Sequence, residues 1–174
     1  MSTIIGIERI ATIDDAIAAG LADVLVDCVD GGASVSFMAP LTKQRATAFW
    51  LGLAPDVETG ERIVLAARDH DGIVGTVQVI LAQPENQPHR ADIAKMLVHR
   101  RARRQGLGAR LMQAAEDAAR DAGKSVLVLD TVTDGDADRL YTRLGWTVAG
   151  TIPDYALWPH GGLTPTTIFY KRLT

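Results

Sequence analysis

Residues 91–130 run apolar strand, arginine- and glycine-rich turn, amphipathic helix, apolar strand, and few folds accept that order. The first strand is Ala91-Asp92-Ile93-Ala94-Lys95-Met96-Leu97-Val98; the last, 125–130, is an apolar run suited to a strand covered on both faces. Between them Leu107, Leu111, Ala114, Ala115 and Ala118 recur at helical spacing until Gly123 stops the helix. The three pieces make a β-α-β unit. In its turn, Arg100, Arg101, Arg103 and Arg104 precede Gly106 and Gly108. A turn that opens a helix aims backbone N–H groups outward, and the helix dipole adds positive potential. Glycine lets a bulky anion approach that backbone, and arginine pairs with phosphate oxygens in forked geometry. The combination predicts a diphosphate site; the alternative is a solvated arginine face in which Gly106 serves only the turn.

The flanking segments predict the remainder of one mixed α/β domain over residues 1–174. A strand is expected at 3–9, then a helix with the stripe Ile13, Ile17, Leu21, Val24, Leu25 and Cys28, closed by Gly31-Gly32. An apolar loop, Ala33 to Pro40, leads to a second helix from Thr42, with Ala46, Phe49, Trp50 and Leu53 on one face and Pro55 and Gly60 closing the region. Residues 62–68 and 73–81 read as a hairpin about Asp71-Gly72. After strand 125–130 come a short helix at 136–144, a strand at 146–151, a Pro/Gly/Trp loop at 152–164 and a last strand at 166–172.

Composition narrows the function. With net charge −3, a general nucleic-acid-binding surface is disfavoured, although the arginine cluster keeps a strongly salt-dependent binder as an alternative. Cys28 is the only cysteine, which excludes an internal disulfide framework and a multi-cysteine metal site; no metal is expected. The stretch free of Asp, Glu, Lys and Arg at 156–170 is broken by Pro159, Gly161, Gly162 and Pro165 and cannot span a bilayer as a helix. No basic segment precedes a hydrophobic run at the start, so a cytoplasmic, reducing location is expected, with no membrane partner. Two nucleotide motifs fail: Leu111 stands where a dinucleotide fingerprint needs its third glycine, and Ala118 where a P-loop ending in Gly123-Lys124-Ser125 needs its first.

Arg103-Arg104-Gln105-Gly106-Leu107-Gly108 resembles the (Gln/Arg)-x-x-Gly-x-(Gly/Ala) signature of the GNAT superfamily of acyl-CoA N-acyltransferases. Downstream, Ala137 to Trp146 resembles its Ala-x-x-x-Tyr-x-x-x-Gly-(Phe/Trp) segment, with Tyr141 at the tyrosine. The order of elements over 3–172 is also similar to that of the family. Gly31 to Ala39, with Leu129-Asp130-Thr131 and Tyr141, looks like the members that acetylate a tabtoxin-type β-lactam amino-acid toxin.

The resemblance implies a GNAT fold: a mixed central sheet with antiparallel N-terminal strands, helices on both faces and a central β-α-β cofactor unit. The implied cofactor is acetyl-CoA. Its pantetheine would lie along the splayed strand at Met96, Leu97 and Val98, and its pyrophosphate in the loop of Arg103, Arg104, Gln105, Gly106, Leu107, Gly108 and Ala109. An amide near Leu97 or Val98 would stabilise the oxyanion. Tyr141 would protonate the departing thiolate; otherwise it is a core tyrosine. Asp130, at a carboxyl edge of the sheet, would accept the amine proton or hold the substrate ammonium; otherwise it caps a turn. Asp92 and His89 are fallback bases, and His70, His99 and His160 read as surface histidines without acidic partners. Phe37 and Met38 either cover the acceptor pocket or pack between helices, and Trp158 has the same two readings. Asp134 stands where many family members carry Asn. The expected partner is a small-molecule amine; protein or peptide acetylation, a non-catalytic acyl-CoA module and assembly as a homodimer stay open.

Overall fold

The apolar runs within 62–80 form a hairpin, β2 (Arg62–Asp69) and β3 (Gly72–Ile80), in a computed structural model that describes residues 4–174. β1 (Gly6–Arg9) pairs antiparallel with β2, so Thr3, expected to open that strand, lies outside the described residues. β4 (Arg90–Val98) pairs antiparallel with β3 and parallel with β5 (Val126–Val132). β6 (Thr147–Leu157) and β7 (Leu163–Arg172) complete a seven-stranded sheet ordered β1-β2-β3-β4-β5-β7-β6. Its one parallel pair is β4 with β5, as the crossover through α4 (Leu107–Asp121) requires.

Helices cover both faces. α1 (Asp15–Asp30) and α2 (Lys43–Leu51) bury Leu21, Leu25 and Trp50 on one side. α4 and α5 (Asp136–Arg143) bury Leu107, Leu111, Met112 and Tyr141 on the other. α1 and α2 start on side-chain caps: Asp14 accepts from the Ile17 amide at 2.8 Å and Thr42 from the Arg45 amide at 3.2 Å. Ile13 precedes α1 but is still buried beneath it. Among the described residues no helix is long and apolar enough to cross a membrane.

Three local expectations change. Pro55 opens a short helix, α3 (Ala54–Glu58), where the first turn needs no proline N–H. The β2–β3 connection is His70-Asp71, because Asp69 pairs with Gly72 and its carboxylate accepts from the Asp71 amide at 2.9 Å. The expected loop 152–164 is mostly strand: β6 continues to Leu157 and β7 starts at Leu163. Pro153 fits because β6 is an edge strand and the register shifts between Ile152 and Ala156, with Asp154 at φ +52°.

Candidate active site

β4 and β5 stay paired only from Arg90–Asp92 to Val126–Val128; beyond that they part. A cavity of about 1190 Å³ opens in the fork. β4 contributes Met96, Leu97 and Val98 to its wall, and β5 contributes Leu129 to Val132. The turn and first residues of α4 also line it, as do the apolar loop 31–38 and residues 155–158 of the C-terminal hairpin.

The turn holds left-handed residues, Arg104 at φ +60° and Gly106 at φ +72°. The first amides of α4 have no intrahelical acceptor, and no side chain caps them. Gly108 lets α5 come close: a Cβ there would sit 3.1 Å from Leu140 Cδ2. Arg103, Arg104, Gly106, Leu107, Gly108 and Ala109 all line the cavity. Gln105 does not; its side chain turns back to donate to the Arg101 carbonyl at 3.4 Å.

Three of the four arginines are already engaged. Arg100 binds the carboxylate of Asp27 through its side chain, and its backbone amide donates to the same carboxylate at 2.9 Å. Arg101 pairs with Asp69 at 2.6 Å. Arg103 Nε donates to the Val98 carbonyl at 2.9 Å, and its guanidinium lies 3.9 Å from Asp27. Among the described residues Arg104 alone of the four has no acidic partner. Asp27 sits in the last turn of α1, where the helix dipole opposes a carboxylate, and these cations offset that. Asp27→Ala strands their donors and is expected to cost ~1–3 kcal/mol. The loss reads directly in thermal unfolding, together with weaker acetyl-CoA binding; an unchanged melting temperature contradicts the assignment.

Tyr141 lines the cavity although it is only 5% exposed. Its ring meets Phe169 edge-on at 5.9 Å and Trp146 at 6.0 Å. Burial, and then the Asp130 carboxylate, push the phenol well above its ordinary pKa, so it stays protonated at neutral pH. Asp130 is exposed to the same cavity and accepts from Thr166 Oγ1 at 3.0 Å. Phe37 and Met38 also line it; Phe37 packs edge-on against Phe49 at 5.2 Å. Their loop is tied to the C-terminal hairpin by Ala39 N–H to the Pro159 carbonyl at 2.9 Å and Ser34 Oγ to the Leu157 carbonyl at 3.0 Å. Trp158 lines the cavity from that hairpin.

The fallback bases lie elsewhere. Asp92 is paired with Arg90 and accepts from Gln83 at 3.1 Å; neither it nor His89 lines the cavity. The surface reading of the histidines is corrected at His99, which is half-buried with Nε2 3.6 Å from Asp27. His70 is on the surface, with Nε2 3.1 Å from Asp71. Asp134 has φ +61°, a backbone conformation that Asn and Asp both tolerate, and it does not line the cavity; its difference from the usual Asn is met by conformation. Lys95 and Cys28, given no site role from the sequence, do line it. A lysine inside an otherwise apolar stretch was the available signal for the first; the second was read only as the end of a helix stripe and the chain's single cysteine.

The model of the acetyltransferase (GNAT) family matches residues 35–146. The chain belongs to the GNAT acetyltransferase family. This GNAT chain is 32% identical over 130 residues, 74% of its own length and 76% of the relative's, to an uncharacterised N-acetyltransferase in the hisH-hisA intergenic region of Azospirillum brasilense. Its fold is similar to that of yncA from Salmonella typhimurium, described as an acetyltransferase and solved with its cofactor acetyl-CoA (TM-score 0.77, 20% identity, 98% of this chain and 94% of that one). It is also similar to the ribosomal-protein-alanine N-acetyltransferase of Brucella melitensis (TM-score 0.79, 19% identity, 97% and 99% of the two chains). At such identities the two structures speak for the GNAT fold alone.

Proposed function

We propose that the chain is a cytoplasmic, acetyl-CoA-dependent N-acetyltransferase acting on a small, amino-acid-like amine. The observation that carries this is the fork between β4 and β5, with uncapped α4 amides at one end and Tyr141 and Asp130 on its wall. The residues fit the cofactor: Arg104 and the amides of Gly106, Leu107, Gly108 and Ala109 would hold the pyrophosphate, and Met96 to Val98 would flank the pantetheine. Arg103 and Gln105 would contribute through the backbone, since their side chains are turned to other partners. When bound, acetyl-CoA supplies a thioester carbon for the amine to attack and a thiolate to leave.

The protein's own groups then have separate tasks. An amide of Leu97 or Val98 would supply the donor for negative charge developing on the thioester oxygen. Asp130 holds the ammonium and takes its proton. Tyr141 keeps a proton on Oη for the leaving sulfur. The tied loop and hairpin roof the acceptor end, which suits a small amine better than a protein terminus. Because Gly31 to Ala39 resembles the corresponding loop of the tabtoxin resistance protein, a tabtoxinine-type β-lactam is the first acceptor to test. The test is calorimetric titration with acetyl-CoA followed by a thiol-release screen of amines. Micromolar binding with turnover supports the reading; a folded protein that binds no acetyl-CoA overturns it.

β6 supports assembly as a homodimer. It is an 11-residue edge strand exposed along nearly its whole length, with Val148, Ile152, Tyr155 and Leu157 in the open. Such an edge is ordinarily covered or blunted. Light scattering after size exclusion is expected to give about twice the 18.7 kDa chain mass, falling to one chain in Ile152→Asp. A monomer at every concentration contradicts the assembly.

A further inference from the structure

Between Ile93 and Val98, β4 is apolar except for Lys95. The strand is bulged at that point. Thr76 pairs with Leu97 and Gln78 with Ala94, so Val77 stands opposite both Lys95 and Met96. Lys95 takes φ +49°, a left-handed value that costs a residue with a side chain on the order of 1–3 kcal/mol. The bulge resets the alternation of the strand. Ile93 and Met96 pack into the α4 side although three residues apart, and Leu97 turns to the α1 side.

Lys95 emerges from this bulge into the cavity. Its Nζ donates to Ser36 Oγ at 3.1 Å and lies 5.9 Å from the centre of the Phe49 ring. Ser36, on the roofing loop, is itself left-handed at φ +76°. Two strained residues from distant parts of the chain thus meet at one point of the wall. Among the described residues, Lys95 makes no salt bridge. Burial pushes its pKa below the ordinary lysine value; Asp130 opposes that and Arg62 adds to it. A half-buried ammonium without a carboxylate partner, facing a cavity, is half of an ion pair.

We infer that Lys95 is the anion anchor of the acceptor pocket, holding the carboxylate of a zwitterionic amine whose ammonium faces Asp130. Ser36 Oγ accepts from Lys95 and keeps its own proton to donate to that carboxylate. The substrate class is therefore free amino acids and close analogues, in preference to polyamines, neutral amines or peptide amides. The inference rests on the acetyltransferase reading of the cavity and adds to it a charge requirement that no GNAT motif in this chain specifies.

The test compares wild type, Lys95→Met and Lys95→Arg with acetyl-CoA and matched acceptors: free L-amino acids, their α-carboxamides and the decarboxylated amines, read by thiol release. Wild type is expected to favour carboxylate over carboxamide in kcat/KM by about tenfold or more, the scale of one hydrogen bond to a charged group. Lys95→Met brings that ratio near one by raising KM far more for the carboxylates than for the carboxamides, and Lys95→Arg restores most of it. A lysine that only packs the loop would lower both acceptors alike, so a preserved ratio in Lys95→Met overturns the anchor. A panel in which wild type accepts no carboxylate-bearing amine also overturns it. Calorimetry separates the two failures. Intact acetyl-CoA binding in that case leaves the acetyltransferase reading standing, whereas absent binding removes both.

Discussion

Tyr141→Phe is expected to bind acetyl-CoA as wild type does and to turn over on the order of 10²–10⁴-fold more slowly, the range for one general acid. That corresponds to about 3–5 kcal/mol of barrier. The substitution keeps the ring against Phe169 and Trp146, so the core is preserved and the lost hydroxyl is the only chemical change. Unchanged turnover with an unchanged melting temperature would make Tyr141 a packing residue. Its ionisation supplies a second check. The folded-state pKa lies above the unfolded value of about 10, because burial and Asp130 both disfavour the phenolate. Any stability linked to this group is therefore fully present below about pH 10 and is lost as the pH rises beyond it. Wild type should lose stability faster than Tyr141→Phe in alkaline melts, and parallel curves would contradict the burial argument. At neutral pH the phenol contributes no titration of its own, and the rate–pH profile follows the acceptor amine.

Gly108→Trp is expected to lower acetyl-CoA affinity by about 100-fold or more, about 2.7 kcal/mol. A Cβ at Gly108 already meets Leu140 Cδ2 at 3.1 Å and Met96 Sδ at 3.8 Å. An indole has nowhere to go except the space between β4 and α5, which is the cavity wall. Gly108→Ala is the control. It needs only a small shift of a flexible leucine end, so it should fold and bind nearly normally. Circular dichroism and a melt establish that the tryptophan variant is folded before its binding is read. A folded variant with wild-type affinity would place the cofactor elsewhere.

Legibility followed the range of the interactions involved. α1 and α4 could be read because their apolar spacing and the closing Gly31-Gly32 and Gly123 act within a few residues. The β2–β3 hairpin was visible for the same reason, but its turn shifted by one residue because an Asp69 side chain competed for the Asp71 amide. The end of the chain was harder. Whether 152–164 is loop or strand depends on β7 as partner, and only pairing with β7 lets β6 carry Pro153 and a register shift. In the site, the turn from Arg103 to Ala109 and the position of Tyr141 were legible as spacing. Which arginines remain free was not, because Asp27 and Asp69 are 73 and 32 residues away in the chain from the arginines they hold.

By itself, then, the sequence determined the β-α-β unit, the glycine-rich turn at its helix start and the residue types available for acyl transfer, since each depends on local backbone preference and periodicity. Tertiary structure alone decided the fork between β4 and β5, the engagement of Arg100, Arg101 and Arg103, and the turning of Lys95 into the cavity. Those outcomes depend on strand register and on charges brought together from tens of residues apart, and neither is encoded in the spacing of neighbouring residues.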